Sequence, residues 1–235
     1  ALVRGDPTER RRFLDELLVT RTPRLAGVRA DYDRVLKQRN ALLKQNPARA
    51  SAQLFPWNIR LSELGEKVAV SRAELVEAIN EQIAKNYGRI AGKRSRVAVE
   101  YQLQFPLNQY SSKMMKKLEA SAKRDSQLGL TVCGPHREDI IFLLNGQPVS
   151  AAASRGEVRS LLLALKIYEL KLVENARGQK PIFLLDDVFS ELDGARRRAL
   201  VKYLKNYQTI ITTTDADAVL EYFTTITNLI PLQKI

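Results

Sequence analysis

At 235 residues with 45% hydrophobic side chains, the chain is long enough to bury one large core or two small ones. Its single cysteine, Cys133, and single histidine, His136, exclude an internal disulfide and a Cys/His metal site. The net charge of +12 is uneven: residues 1–130 hold 25 Lys+Arg against 14 Asp+Glu, leaving 13 against 12 for residues 131–235. A basic half beside a near-neutral half fits a polyanion-binding surface joined to a catalytic or structural head, or a solvated face that only aids solubility. No apolar run approaches the roughly 18 residues of a membrane span. No signal peptide is expected, and a reducing cytoplasm is. Ala1 stands where a longer gene product would continue.

Asp6-Pro7-Thr8-Glu9 predicts a helix start, with Asp6 as cap and Pro7 at the first helical position. A second helix is expected from about Arg24 to Lys44, with Val28, Tyr32, Val35 and Leu42 near heptad spacing. A polar loop with Pro47 and Pro56 follows, then a helix from about Trp57 to Tyr87 carrying Leu61, Leu64, Val68 and Leu75. These two stripes predict an antiparallel helical arm. Alternation from Val97 to Phe105 predicts a half-buried strand, and 108–126 a basic helix. A short strand is expected at Leu128–Cys133, and a hairpin over 139–149 turning at Asn145-Gly146. Then come a helix at about 156–175, strand 181–186, helix 194–206, strand 208–214, helix 216–222 and strand 225–230. Such alternation implies an α/β sheet.

Ile182-Phe183-Leu184-Leu185-Asp186-Asp187 reads as a buried strand ending in two acids. At the carboxyl edge of a sheet, paired acids suit Mg²⁺, held by Asp186 through water, and an attacking water polarised by Asp187. Structural ion pairs give the same pattern. Ser154-Arg155-Gly156-Glu157 opens a helix, where a hydroxyl, free amides and the dipole end suit a phosphate or simply cap the helix. No phosphate loop is present. Gly88 to Ser95 has one residue too few between its glycines and Arg where a hydroxyl belongs, so it reads as a basic turn.

These stretches, with Leu2–Gly5, Glu9–Asp15, Gln38–Lys44, Cys133–Asp139, Leu184–Asp193 and Thr212–Asp215, occur in one order along the chain. In that order they resemble the C-terminal two-thirds of the RecF family of bacterial recombination and repair proteins, ABC-type ATPases related to SMC heads. The resemblance implies an α/β fold, the C-terminal part of an ABC-type (phosphate-loop) ATPase head with an inserted, mainly helical arm. Residues 1–127 would form the arm and 128–235 the head. It implies an ATP-dependent homodimer in which Ser154, Arg155, Gly156 and Glu157 act in trans as the signature. Asp186 and Asp187 would act in cis with ATP and Mg²⁺, Ser190 and Asp193 would belong to the D-loop, and Thr214 would stand at the switch position. Asp187 stands where Glu is usual and Thr214 where His is common, which implies slow, switch-like hydrolysis.

The family further implies DNA binding in recombinational repair and replication-fork maintenance, with RecO and RecR as partners, in the cytoplasm at the nucleoid. Arg10, Arg11, Arg12, Lys93, Arg94, Arg96, Lys116 and Lys117 are the phosphate-contact candidates, or a solvated basic face. Without the phosphate loop this chain alone is expected to hydrolyse ATP poorly or not at all, and its sheet to show exposed edges. A non-enzymatic DNA-binding or assembly module, or another SMC-like head, are the alternatives. His136-Arg137 has no chemical role on this reading; a structural turn is expected.

Overall fold

The computed structural model describes residues 2–44, 47–189, 192–214, 220–222, 228 and 230. Helices α1 (Pro7–Arg21), α2 (Leu25–Leu43) and α3 (Pro47–Ala91) come first, followed by strand β1 (Val97–Gln102) and helices α4 (Tyr110–Ala120) and α5 (Ala122–Leu128). Strands β2 (Asp139–Leu144) and β3 (Gln147–Pro148) and a short α6 (Val149–Ala152) lead into α7 (Arg155–Arg177), β4 (Phe183–Asp186), α8 (Gly194–Leu204) and β5 (Thr209–Thr212). The expected helix 216–222 and strand 225–230 lie largely outside the described residues.

Contacts divide the chain into two compact units, 1–82 with 96–152, and 83–95 with 153–235. The expected boundary at 127/128 therefore shifts. Residues 128–152 stay with the first unit because β2 pairs antiparallel with β1, from Val97↔Leu144 to Gln102↔Asp139.

In the first unit, Asp6 caps α1 by accepting from the Thr8 amide at 2.6 Å. The helical arm forms as its stripes predict: Val28, Tyr32 and Val35 pack with Trp57, Leu61, Leu64 and Val68. Two boundaries differ from expectation. Helix α3 begins at Pro47, ten residues before Trp57, and carries Pro56 inside it. Proline ordinarily breaks a helix, but Leu54 is buried against Leu43, and that packing holds the turn helical. Strand β1 stops at Gln102 because Leu103 and Phe105 pack into the helical core instead.

The basic helix expected over 108–126 is interrupted at Ser121, and α5 runs on to Leu128. Gly129 ends it at φ 64°, the left-handed cap that glycine adopts without strain. The strand expected at Leu128–Cys133 is absent. Side chains take the place of a ladder there: the Thr131 amide donates to Asn40 Oδ1 at 2.9 Å, and its carbonyl accepts from Arg137 Nε at 3.1 Å. The hairpin turn is as expected, with Asn145 at φ 52° and Gly146 at φ 82°, the two positive values of a type I′ turn.

His136 has a structural place. Its Nε2 lies 3.0 Å from the Thr131 carbonyl, which can only accept, so Nε2 carries the proton. Nδ1 then accepts from the Tyr32 hydroxyl at 2.7 Å. Burial, helped by the nearby charges of Arg137, Arg11 and Arg39, pushes the imidazolium down from 6.5 to about 4. A base whose folded pKa lies below its unfolded one takes up a proton on unfolding. Its contribution is therefore complete above pH 6.5 and is lost as pH falls toward 4. Across that window the loss amounts to about 3 kcal/mol. Urea midpoints should fall accordingly, and His136→Gln should flatten the fall; equal slopes in the two proteins would remove His136 as its cause.

In the second unit, α7 opens on a full capping box. The Glu157 amide donates to Ser154 Oγ at 3.3 Å, and the Ser154 amide donates to Glu157 Oε2 at 3.0 Å. Gly178 closes the helix at φ 64°. Strands β4 and β5 pair in parallel, from Phe183↔Thr209 to Asp186↔Thr212. Phe183 and Leu185 face a core with Leu163, Ile167, Leu170, Phe189 and Leu200. The opposite face of the pair is open and apolar: Ile182 is 55%, Leu184 70% and Ile210 54% exposed. Parallel sheets are normally covered on both faces, so this open face, rather than the exposed edges expected from the sequence, is the feature that stands out.

Candidate functional site

The register Asp186↔Thr212 sets a carboxylate and a hydroxyl side by side at the carboxyl ends of β4 and β5, on the exposed face. The Thr212 hydroxyl donates to Asp186 Oδ1. The next residue leaves the strand abruptly. Asp187 sits at φ 50°, in the left-handed region, and its amide donates to the Thr212 carbonyl at 3.0 Å and to Thr212 Oγ1 at 3.3 Å. Left-handed backbone is costly for most residues but tolerated by Asp and Asn. Such outliers gather at functional sites. Sequence reasoning singled out Thr214 here. The structure brings Thr212 to the two acids, while Thr214 is exposed beyond the end of β5. The parallel pairing of strands was the signal that would have found Thr212.

The N-terminus of α7 is already internally satisfied. Besides the capping box, Glu157 Oε1 takes Lys93 Nζ at 3.0 Å. The Ser154 amide, and then Lys93, hold the Glu157 carboxyl below the usual carboxylate range. Ser154 and Arg155 are exposed, but the Ser154 hydroxyl already donates to Glu157 Oε2 at 3.0 Å, so an anion at this turn must displace that carboxylate. Of Gly88 to Ser95, the rejected phosphate-loop string, residues 88–91 form the last turn of α3 and 92–95 follow it.

Asp193 caps α8 by accepting from the Arg196 amide at 2.9 Å and pairs with the same residue's guanidinium. Those bonds, the amide first, hold its carboxyl below the usual range. Arg196 reaches further: its Nε donates to Ser160 Oγ on α7 at 2.8 Å. Sequence reasoning passed over Arg196. Ser190, the other expected D-loop residue, lies outside the described residues.

The basic candidates separate by what they already bind. Arg10 is forked onto Asp139, with Nε–Oδ1 at 2.8 Å, and also donates to the Gly5 carbonyl. Arg11 donates to the Glu138 carbonyl at 3.0 Å and the Thr8 hydroxyl at 3.1 Å. Arg12 pairs with Glu16 at 2.8 Å but stays exposed. Lys93 pairs with Glu157. Arg94, Arg96, Lys116 and Lys117 are exposed.

No protein-family model matches the chain. It is 38% identical over 235 residues to the DNA replication and repair protein RecF of Frankia alni, covering 93% of this chain and 62% of that protein. The same protein of Gloeothece citriformis is 38% identical over 236 residues, covering 91% and 61%. In fold the chain is similar to a solved structure of the recombination mediator protein RecF-ATP in the RecFOR pathway. That match has a TM-score of 0.82 and 28% identity, over 92% of this chain and 60% of the other. A structure of the same protein with ATPrS matches with a TM-score of 0.81. The chain thus spans about three-fifths of the length of its curated relatives. Over that length it is similar in sequence and in fold to RecF.

Proposed function

We propose that this chain forms part of an ATP-dependent, DNA-binding protein of recombinational repair, working as a homodimer whose nucleotide sites are shared between subunits. The observation that carries the reading is the edge of β4 and β5. There Asp186, Asp187 and Thr212 stand together, in a chain whose relatives are DNA replication and repair proteins.

In this reading the exposed first turn of α7, with Ser154, Arg155, Gly156 and Glu157, closes on the nucleotide of the other subunit. Asp187 accepts a proton from the attacking water, and Thr212 holds Asp186 in place. Among the described residues no group of three or more acids, Cys or His can cage a metal ion. A lone strand-end carboxylate fits Mg²⁺, which keeps most of its waters and takes its remaining ligands from phosphates. When bound, the ion would screen phosphate charge. The phosphate loop itself would come from protein outside this chain. The short Asp187 and the exposed Thr214 suit a slow switch. DNA contact falls to Arg94, Arg96, Lys116, Lys117 and Arg12, and RecO and RecR are the expected partners. No helix among the described residues is long and apolar enough to cross a membrane.

Two measurements on the full-length protein test this. ATP with Mg²⁺ should double the sedimenting mass, and ADP should not. Lys116→Glu with Lys117→Glu should weaken DNA binding and shrink its salt slope by about two. A mass indifferent to ATP would reject the shared site, and an unchanged salt slope would reject these two lysines as phosphate contacts.

A further inference from the structure

We propose that Arg196 is a positioning residue that clamps the turn before α8 onto the first turns of α7, so that Asp193 and the Ser154–Glu157 segment move as one body. The proposal deepens the shared-site reading above and rests on it for its link to turnover; the clamp itself does not.

Three contacts converge on one guanidinium. Its Nε donates to Ser160 Oγ at 2.8 Å. Ser160 is fully buried, and its hydroxyl donates onward to the Gly156 carbonyl at 2.9 Å while accepting from Arg196, so its proton is already committed. On the other side the guanidinium pairs with Asp193, whose second oxygen takes the Arg196 amide. The plane also lies over Gly156: a Cβ there would stand 3.2 Å from Nη2, 3.4 Å from Cζ and 3.5 Å from Nη1. A side chain at 156 would push the guanidinium back by a few tenths of an ångström, so glycine favours the close approach independently of any phosphate. The neighbouring Arg197 secures the same turn, its Nε donating to the Phe189 carbonyl at 2.8 Å.

The consequence is mechanical. A turn that follows the two acids and a helix start that faces a second nucleotide are joined by a rigid, planar fork. A displacement at either is passed to the other without rearranging the core. A lysine can hold Asp193 or Ser160 but not both, because it lacks the fork.

Amide hydrogen exchange without nucleotide reads the clamp directly. In Arg196→Ala, peptides covering 154–161 and 192–197 should both exchange faster, by about tenfold or more. Ser160→Ala should give the same change over 154–161 with the Asp193 pair intact, and Arg196→Lys an intermediate one. Turnover by full-length Arg196→Ala should fall about tenfold while monomer ATP affinity stays within about twofold. Unchanged exchange in either segment overturns the clamp. Faster exchange with unchanged turnover, in a protein where Asp187→Asn does abolish turnover, overturns its role in the reaction. Turnover indifferent to Asp187→Asn instead rejects the ATP reading, and exchange alone then decides the clamp.

Discussion

Replacing Arg39 with Met should cost about 3–5 kcal/mol, the largest stability loss expected from one surfaceless charge. Arg39 and Asp125 are both fully buried, with 2.8 Å between Nη1 and the carboxylate. Arg39 Nε also donates to Asn58 Oδ1 at 2.7 Å, and Nη1 to Thr131 Oγ1 at 2.7 Å. Thr131 in turn donates to Asn40. Removing the guanidinium strands a carboxylate in the core and takes a donor from Asn58 Oδ1 and from Thr131 Oγ1. Deleting the pair together, as Arg39→Met with Asp125→Leu, should recover part of the loss, since apolar replacements of buried pairs are often close to neutral. Urea unfolding of the chain measures both, with the m-value checked for constancy. A single variant within about 1 kcal/mol of wild type would mean that the pair is hydrated in solution.

That network marks where sequence reasoning stopped. The helical arm was legible because Val28, Tyr32, Val35, Leu61, Leu64 and Val68 repeat at helical spacing, and periodicity is a local signal. The helix start at Ser154, the Asn145-Gly146 turn and the acid-terminated β4 were legible because they too are local signals. Arg39 and Arg72 were not. Each sits in a helix where a charged residue reads as surface, yet Arg72 is buried, forked onto Asp15 at 2.8 and 2.9 Å and donating to the Pro135 carbonyl at 2.7 Å. Their partners lie 19 to 92 residues away, and nothing in a local pattern announces them. The missing strand at Leu128–Cys133 has the same cause. Its β-branched residues fit a ladder, but Asn40, His136 and Arg137 satisfy the Thr131 backbone first. At the candidate site, the two acids were visible and Thr212 was not, because only the parallel register places it beside Asp186.

Asp187→Asn should lower ATP turnover of the full-length protein by about 10²-fold or more, while ATP still binds and still drives dimerisation. The substitution isolates charge. Asn tolerates the φ of 50° that Asp187 adopts, and its amide N–H keeps the bonds to Thr212. Glu is a poorer test, because a longer chain must enter the same left-handed backbone. The shared-site reading then makes a prediction that no self-contained site can meet. Ser154→Arg should also abolish turnover, by filling the first turn of α7 with a bulky cation. Mixed with the Asp187→Asn protein, however, it should regain activity. Each mixed dimer pairs one intact set of acids with one intact helix start, so equimolar random mixing should restore about a quarter of wild-type turnover. Mixtures that stay at the level of the separate variants would place both residues in a site within one subunit. Restoration would show that the acids of β4 and the cap of α7, though folded into one unit of one chain, serve different nucleotides.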